Sequence, residues 1–375
     1  MTDRTFAVIT GGGTAGHVLP ALAIAEALVD AGHAAEEIHY VGAERGIETS
    51  LLGESPFPHT FLDVVGLQRG WSRRDLAVNF TMPPKLFAAS REATALLRRL
   101  RPRVVVSVGG YASLPAVVAA RRLGVPIVAV SYDRRPGRAT ALTARFAAAS
   151  AVAFPGSTLP RAVVTGAPVR RRILAVDRER DREDARRALG LPADRFLVVV
   201  TGGSLGSGPL NAAVARYVAD RRDDADVSVR HVVGARFLET APPARDEPTG
   251  VIYQVVGFDD RLERAYGAAD LLVGRGGAST VAEVAVTGTP AILVPWAGAA
   301  EDHQTANVRW LADQGAAVLL PESELPTLGA TIERLRAAPD ERARLAEAAR
   351  AAGHVHRSGS LVDLIARTAL PESTE

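Results

Sequence analysis

The sequence has no cysteine, and its 375 residues include only two methionines and three tryptophans. The absence of cysteine excludes disulfide bridges, thiolate zinc sites and cysteine nucleophiles. The eight histidines are scattered without an HExxH-type pair, so we expect no dedicated metal site. No apolar run approaches the roughly 20 residues that a membrane-spanning helix requires.

The sequence also lacks an excess of charge of either sign. Forty-four basic and 42 acidic residues leave a formal net charge of +2, and Lys85 is the only lysine among them. A balance so close to neutral does not favour general nucleic-acid binding, so we expect no nucleic-acid partner. The length suggests about two domains of ~150 residues each. A strand pattern starts at once, so we expect no signal peptide and a cytoplasmic location.

The first glycine-rich stretch follows an apolar run. Residues 6–10 are apolar apart from a final threonine, residues 11–13 are glycines, and an alanine- and leucine-rich helical pattern follows. This order predicts a buried parallel strand, a tight turn and a helix whose N-terminus suits an anionic group. A plain strand–helix turn with a surface histidine explains the same residues. The role of His17, at the mouth of the turn, therefore depends on what the rest of the chain places around it.

The same strand-to-glycine pattern returns along the whole chain, at residues 103–110, 196–207 and 270–280. Strands that alternate with helices predict an α/β fold with parallel sheets and helices on both faces. Ligands of such sheets bind beyond the carboxyl ends of the strands. We therefore expect the loops at 11–17, 109–113 and 131–138 to converge.

A glycine and a proline at positions 166 and 168 mark where the first series of strands and helices ends. We expect one domain over residues 1–163 and a second over 164–355. A helix at about 356–370 is expected to pack back on the first domain.

We expect the backbone amides at residues 276–280, at a glycine turn and the helix start after it, to hold a pyrophosphate. Glu283, near the start of the next helix, could accept two hydrogen bonds from a ribose diol. A solvated carboxylate favoured by the helix dipole is the alternative for Glu283.

Residues 67–91 interleave apolar side chains with cations. Such a patch can lie on a membrane, because its apolar groups enter the interface while its cations meet anionic headgroups. An amphipathic helix with its apolar face in the core explains the same pattern. The candidate membrane patch consists of Trp71, Arg73, Arg74, Phe80, Lys85, Leu86 and Phe87.

Taken together, the motifs resemble those of glycosyltransferase family 28. The matching segments are residues 11–23, 109–111, 166–170, 202–204, 275–283 and 302–307. The resemblance implies a GT-B fold, in which two Rossmann-like parallel-sheet domains face a central cleft. It also implies an inverting hexosyltransferase that moves N-acetylglucosamine from UDP-GlcNAc to undecaprenyl-diphospho-MurNAc-pentapeptide (lipid I). The product would be lipid II for peptidoglycan, made at the cytoplasmic face of the bacterial cell membrane by a peripheral protein.

The resemblance assigns the UDP-sugar to the C-terminal domain and the acceptor to the N-terminal one. The donor-binding residues would be Arg170, Ser204, Phe258, Asp259, Arg275, Ala278, Ser279, Thr280, Glu283 and Gln304. The acceptor-side residues would be Thr14, Ala15, Gly16, Gly110, Tyr111 and Asp133. The expected partners are a UDP-sugar, a polyprenyl-diphosphate-linked acceptor and an anionic membrane surface.

His17 is the candidate general base, since a neutral imidazole is available near pH 7. A positioning role at the acceptor diphosphate is the alternative. No cofactor or metal is expected if fixed dipoles and arginine stabilise the departing diphosphate.

One loop departs from the family pattern. The family has His-Glu-x-Asn before a Pro-Gly pair, where this chain has Val130, Ser131, Tyr132 and Asp133. Two alternatives therefore stay open. One is a related GT-B enzyme that uses a UDP-sugar on a different lipid-linked or natural-product acceptor. The other is an epimerase-like protein or a non-catalytic nucleotide-sugar binder.

Overall fold

The strands and helices of the chain form two units. A computed structural model describes residues 5–13, 15–44, 48–53, 55–64, 73–203, 205–299 and 302–371, except for the side chains of residues 15, 50, 51 and 73–83. The first unit comprises Met1–Arg171 together with Ser358–Glu375, and the second comprises Arg172–Arg357.

The division falls at residue 171 rather than at the expected 163. Arg171 belongs with the first unit because its backbone amide donates to Glu26 (2.9 Å) and its guanidinium pairs with Asp30 (2.8 Å). The last strand of the first sheet also ends only at Val164. Residues 165–171 thus continue the first unit.

The first unit contains a sheet of seven described strands, all in parallel pairs, in the order β3-β2-β1-β4-β5-β6-β7. Its elements are β1 (Ala7–Thr10), α1 (Ala15–Asp30), β2 (Ile38–Ala43), α2 (Glu48–Leu52), β3 (His59–Leu62), α3 (Arg73–Leu100), β4 (Val104–Ser107), α4 (Leu114–Leu123), β5 (Ile127–Ser131), α5 (Arg138–Ala144), β6 (Ala149–Val152) and β7 (Ala162–Val164). The strand order reverses between β1 and β4. In open α/β sheets, ligands bind at such a switch point.

Short apolar runs explain the strands of this sheet. Val104–Ser107 is buried along its whole length, as expected for a parallel strand covered on both faces. The long helix α3 packs against α4; α3 contributes alanines and leucines to the core, and α4 contributes alanines and a valine. Gly124 ends α4 in the left-handed conformation that glycine adopts without strain.

The second unit repeats this plan with six described strands in the order β10-β9-β8-β11-β12-β13. Its elements are α6 (Arg171–Leu174), which starts at the division, α7 (Arg178–Ala188), β8 (Phe196–Thr201), α8 (Gly208–Asp220), β9 (Val227–Val232), β10 (Ile252–Val256), α9 (Leu262–Ala268), β11 (Leu271–Arg275), α10 (Ala278–Thr287), β12 (Ala291–Val294), α11 (His303–Ala312), β13 (Val318–Leu319), α12 (Leu328–Ala337) and α13 (Pro339–Gly353). The order reverses between β8 and β11, which places a second switch point there.

The last helix, α14 (Ser360–Thr368), belongs to the first unit. It contacts α1 and the strands β4, β5 and β6. Leu361, Leu364 and Ile365 are buried, at the i, i+3 and i+4 spacing of one helical face. The apolar spacing thus explains why this terminal helix packs against the first sheet.

A buried ion cluster joins α7 to the sheet of the second unit. The carboxylate of Asp270 accepts from Arg182 (2.5 Å), from Arg186 (2.6 Å) and from the amide of Leu197 (2.8 Å). The guanidinium of Arg186 also donates to the carbonyl oxygens of Ala193 and Ala268, and its side chain is only 1% exposed. Buried charges of this kind are tolerated when each is paired and hydrogen-bonded.

Among the described helices, none combines the length and the apolar character that crossing a bilayer demands.

A second buried network contains a histidine that stays neutral. Burial lowers the pKa of His231 to about 4. Its ring bonds to the Tyr253 hydroxyl at 2.9 Å and to the Asn211 side-chain oxygen at 3.0 Å. The Asn211 amide nitrogen donates to the carbonyl of Val233, so the Asn211 oxygen accepts from the Nε2–H of His231.

We expect this histidine to make the second unit sensitive to acid. The unfolded chain binds a proton at His231 below pH ~6.5, whereas the folded chain does so only near the lowered pKa. The contribution of the neutral His231 to the free energy of unfolding is therefore fully present above pH ~6.5, and roughly 2 kcal/mol of it is lost by pH 5. Urea unfolding at pH 7.5 and pH 5 should show a smaller acid loss for His231→Gln than for the wild type.

The exposed His354 provides the control, because its side chain stays in water in both states. His354→Gln should keep the full acid dependence. An equal acid loss in His231→Gln and in the wild type would contradict the prediction.

Candidate functional site

In the first unit, the glycine turns after β1 and β4 touch each other at the switch point. A Cβ atom at Gly110 would overlap the carbonyl oxygen of Gly12, and Gly110 has a φ of 77°. Gly13 has a φ of 94°, and a Cβ there would lie 2.6 Å from the ring of Tyr111. Only glycine fits such an approach and such a backbone conformation. The structure therefore brings the predicted loops at 11–17 and 109–113 together.

Three side chains from other elements hold the first glycine turn. The Tyr40 hydroxyl, on β2, donates to the carbonyl of Gly11. The amide of Gly13 donates to a carboxylate oxygen of Glu48 at 2.7 Å. The Tyr132 hydroxyl, after β5, donates to the carbonyl of Gly16 at 2.6 Å. The turn is thus fixed at its start, its middle and its end.

His17 lies in the first turn of α1 and is half-buried. Its ring stands edge-on to that of Tyr132, with centroids 6.2 Å apart, and a Cβ at Gly109 would lie 3.7 Å from its Nε2. Burial lowers the pKa of His17, while the carboxylates of Asp133 and Glu48 act in the opposite direction. A buried imidazole with a lowered pKa is neutral at pH 7 and can accept a proton.

The other acceptor-side candidates lie at the same edge of the sheet. Tyr111 begins a short 3-10 turn after Gly110, and Asp133 is half-buried in the loop after β5. Gly16 is exposed in the first turn of α1. Thr14 and the side chain of Ala15 lie outside the described residues.

In the second unit, the turn after β11 leads into a helix without a side-chain cap. Gly277 occupies the N-cap position of α10 and, having no side chain, provides no side-chain cap for the first amides of the helix. Ala278, Ser279 and Thr280 form its first turn. Uncapped amides at the positive end of a helix dipole are a binding site for an anion. A Cβ at Gly277 would meet nothing within 4 Å, so there is room for a ligand at this turn.

Glu283 lies one turn further along α10 and is only 7% exposed. The Tyr266 hydroxyl, on α9, donates to its Oε2 at 2.9 Å. The carboxylate is therefore held by a neighbouring helix and is not a freely solvated surface group. A carboxylate oriented in this way can accept hydrogen bonds from hydroxyl groups.

Two donor-side candidates bond within the second unit itself. Arg275 pairs with Glu322 at 2.5 Å and also bonds to Ser207 and to the carbonyl oxygen of Val294. Asp259 pairs with Arg230 at 2.8 Å. These two side chains brace the loops around the sheet edge.

Two of the remaining donor-side candidates, Phe258 and Gln304, lie in segments that follow strands of the second sheet. Phe258 follows β10 and is 56% exposed. Gln304, in the first turn of α11, accepts from the amide of Trp296 at 2.9 Å. Arg170 is half-buried and belongs to the last segment of the first unit, not to the second unit. Ser204 lies outside the described residues.

The candidate membrane patch is described only in part. Phe87 is 59% exposed on α3, next to the half-buried Leu86. Lys85 pairs with Asp63 at 2.6 Å. Trp71 and the side chains of Arg73, Arg74 and Phe80 lie outside the described residues. Across the part of the chain that is described, no group of three or more His, Asp or Glu side chains could hold a metal ion.

Sequence reasoning missed Glu48 and Tyr40 and treated Tyr132 only as a departure from a pattern. Glu48 lies 35 residues from Gly13, and Tyr40 lies 29 residues from Gly11. One signal was available: both follow or belong to β2, which neighbours β1 in a sheet of this order. Nothing in the spacing indicates that their side chains turn toward the glycines.

Comparisons with known proteins agree on one family. The model of the glycosyltransferase family 28 N-terminal domain matches residues 7–152, and that of the C-terminal domain matches residues 197–361. Two curated relatives carry the name UDP-N-acetylglucosamine–N-acetylmuramyl-(pentapeptide) pyrophosphoryl-undecaprenol N-acetylglucosamine transferase. One, from a Nocardioides species, is 40% identical over 85% of this chain and 86% of its own length. The other, from Methylococcus capsulatus, is 37% identical over 98% of both.

Solved structures share the fold. MurG of Acinetobacter baumannii superposes with a TM-score of 0.68 and 28% identity, covering 97% of this chain and 99% of that one. UDP-GlcNAc 2-epimerase of Neisseria meningitidis superposes with a TM-score of 0.63, covering 97% and 99% of the two chains. Its identity is 13%, so this likeness concerns the fold alone.

The contact between the glycine turns generates a prediction for Gly110→Ala. The new methyl group would overlap the Gly12 carbonyl, and the positive φ adds a strain of about 1–2 kcal/mol. We expect the variant to lose more than about 3 kcal/mol of unfolding free energy, because both turns must move. Denaturant unfolding of the purified protein measures this loss.

Gly124→Ala is the matched control. Gly124 has a similar φ of 70°, but a Cβ there meets nothing within 4 Å. This variant should lose only the backbone strain, about 1 kcal/mol. Equal losses at the two positions would show that the contact between the turns contributes nothing.

Proposed function

The chain belongs to glycosyltransferase family 28, and from this premise we propose that it transfers N-acetylglucosamine from UDP-GlcNAc to lipid I, making lipid II. One observation carries the proposal beyond family membership. Each sheet has a glycine turn at its switch point, one followed by a half-buried histidine and the other by an uncapped helix that carries a held carboxylate. A glycosyl transfer needs these two kinds of site: a base for the acceptor hydroxyl and a cradle for the nucleotide diphosphate.

On the acceptor side, His17 accepts the proton of the attacking hydroxyl in this proposal. The hydroxyl oxygen bonds to the anomeric carbon while the bond from that carbon to the diphosphate oxygen breaks, so UDP leaves and the configuration inverts. The lowered pKa of His17 supports this role, because the ring is then neutral before the step. Gly110, Tyr111 and Asp133 line the same sheet edge and are proposed to contact the acceptor.

On the donor side, the first amides of α10 bind the diphosphate and stabilise its developing charge. Glu283 accepts the ribose hydroxyls, and Tyr266 orients it by donating to one of its oxygens. The exposed ring of Phe258 offers a face for the uracil base. Ser204, Gln304 and Arg170 remain proposed donor contacts on the family pattern.

Arg275 and Asp259 act on the donor site through the backbone in this proposal. Their ion pairs with Glu322 and Arg230 fix the turns after β11 and β10. The arginine also bonds to Ser207, which caps α8 beside the glycine turn after β8. The reaction is proposed to run without a divalent metal, since amides and a helix dipole meet the leaving charge.

The sequence of the loop after β5 favours one second candidate function. Val130, Ser131 and Asp133 stand where the family pattern has His, Glu and Asn, and exposed arginines follow at 134, 135 and 138. The chain would then be a related enzyme that transfers the sugar to a different lipid-linked acceptor. An acceptor screen decides between the two.

We expect lipid I to accept radiolabelled GlcNAc from UDP-GlcNAc in the presence of EDTA. Consumption of another acceptor in preference to lipid I would favour the second candidate. Conversion of UDP-GlcNAc to its epimer without any acceptor would overturn the transferase proposal altogether.

Two substitutions separate donor binding from chemistry. Glu283→Ala removes the carboxylate that is proposed to accept two hydrogen bonds from the ribose hydroxyls. We therefore expect the KM for UDP-GlcNAc to rise ~10- to 100-fold with a smaller change in kcat. His17→Ala removes the base, so we expect kcat to fall ~10²- to 10⁴-fold at an unchanged donor KM. Steady-state kinetics measures both effects, and near-normal activity in both variants would refute the site assignment.

We also propose that residues 67–91 hold the protein at the cytoplasmic face of the cell membrane as a peripheral protein. The exposed Phe87 beside a basic segment supports this. Phe87→Asp should lower the fraction of protein that sediments with phosphatidylglycerol vesicles several-fold. Phe146→Asp changes another exposed phenylalanine of the same unit and should leave sedimentation unchanged; an equal loss there would argue against this surface.

A further inference from the structure

Glu48 is a buried carboxylate that the proposed reaction does not use. It begins α2, and its side chain is fully buried. One carboxylate oxygen accepts the amide of Gly13 at 2.7 Å. The other, Oε2, is buried with no hydrogen-bond partner among the described residues. Burying a carboxylate is costly, so a chain that keeps one here obtains something from it.

The carboxylate lies directly beneath the glycine turn. A Cβ at Gly12 would overlap its Oε1, and a Cβ at Gly42 would lie 3.4 Å from its Cγ. Burial raises the pKa of the Tyr40 and Tyr111 hydroxyls, and the charge of Glu48 raises both further. Two aromatic side chains and the backbone of two glycines therefore surround this charge.

The same charge reaches the candidate base. Three groups act on His17 from two elements: Glu48 from α2, and Asp133 and the edge of the Tyr132 ring from the loop after β5. Burial favours the neutral imidazole, and both carboxylates favour the imidazolium that forms when the ring takes a proton. Glu48 thus contacts the turn at Gly13, and its charge acts on His17, which lies four residues later in the first turn of α1.

We propose that Glu48 is a positioning residue of the acceptor site: it anchors the glycine turn through the Gly13 amide, and its negative charge stabilises His17 in the protonated form. The anchoring half concerns the folded protein alone. The second half rests on the proposed function, in which His17 is the base. Because the two halves depend on different properties of the carboxylate, two substitutions separate them.

Glu48→Gln keeps an oxygen that can accept the Gly13 amide but removes the charge. We expect the His17 ring, followed by NMR in histidine-labelled protein, to titrate about half a pH unit lower than in the wild type. The Gly13 amide should remain protected from hydrogen exchange. The acidic limb of the kcat/KM profile should move to lower pH by the same amount, which a purely structural role would not produce.

Glu48→Asp keeps the charge but is too short to reach Gly13. We expect the Gly13 amide to exchange faster and kcat to fall, while His17 titrates close to its wild-type value. Glu92→Gln, the same chemical change at an exposed position on α3, is the control and should alter neither property.

An unchanged His17 titration in Glu48→Gln would overturn the electrostatic half of the proposal. Should that variant fail to fold, hydrogen exchange of the wild-type protein still tests the anchoring half, which fast exchange of its Gly13 amide would overturn. The titration and the exchange need no substrate. If the protein transfers nothing to lipid I, the proposed function fails while the role of Glu48 is still decided.

Discussion

The close approach of neighbouring loops is the constraint on which both halves of this protein depend. Parallel strands lie about 4.8 Å apart, so the loops that leave two adjacent strands at the same edge must pass one another. In the first unit this occurs between Gly12 and Gly110, and in the second between Gly206 and Gly234, where a Cβ at Gly234 would lie 2.6 Å from the Cα of Gly206. Both contacts exclude any side chain. The glycines at these two contacts are therefore required by packing, whereas a Cβ at Gly277, in the turn proposed to bind the diphosphate, would meet nothing within 4 Å.

Buried carboxylates convert these turns into defined sites. Glu48 holds the first turn through one amide, and Glu283 is itself held by Tyr266 one helical turn beyond the second glycine turn. In the second unit, Asp270 likewise accepts hydrogen bonds from two arginines and a backbone amide, and it joins α7 to the sheet. The arginine-rich composition thus has a structural use, since a guanidinium can satisfy several buried oxygens at once.

Several residues that the family pattern places at the donor site bond mainly to their own unit. Arg275 and Asp259 are paired with Glu322 and Arg230, so their influence on a ligand runs through loop geometry. Substitution of such a residue changes the geometry of the loop as well as any direct contact with a ligand. Glu283, His17 and Glu48 are more informative positions for substitution, because their expected effects can be told apart by KM, kcat and titration.

The sequence by itself determined that the chain has two α/β units, where each glycine turn lies, and that helices follow these turns. These features depend on short apolar runs and on glycine, whose local chemistry is legible in the chain. The family resemblance, confirmed by the comparisons, added the order of the donor and acceptor motifs. Only the tertiary structure decided that Tyr40, Glu48 and Tyr132 hold the first turn, because these contacts join residues 29 to 116 positions apart. It also decided that Arg275 is paired internally, since the position of Glu322 follows from strand order and side-chain packing, which no local pattern encodes.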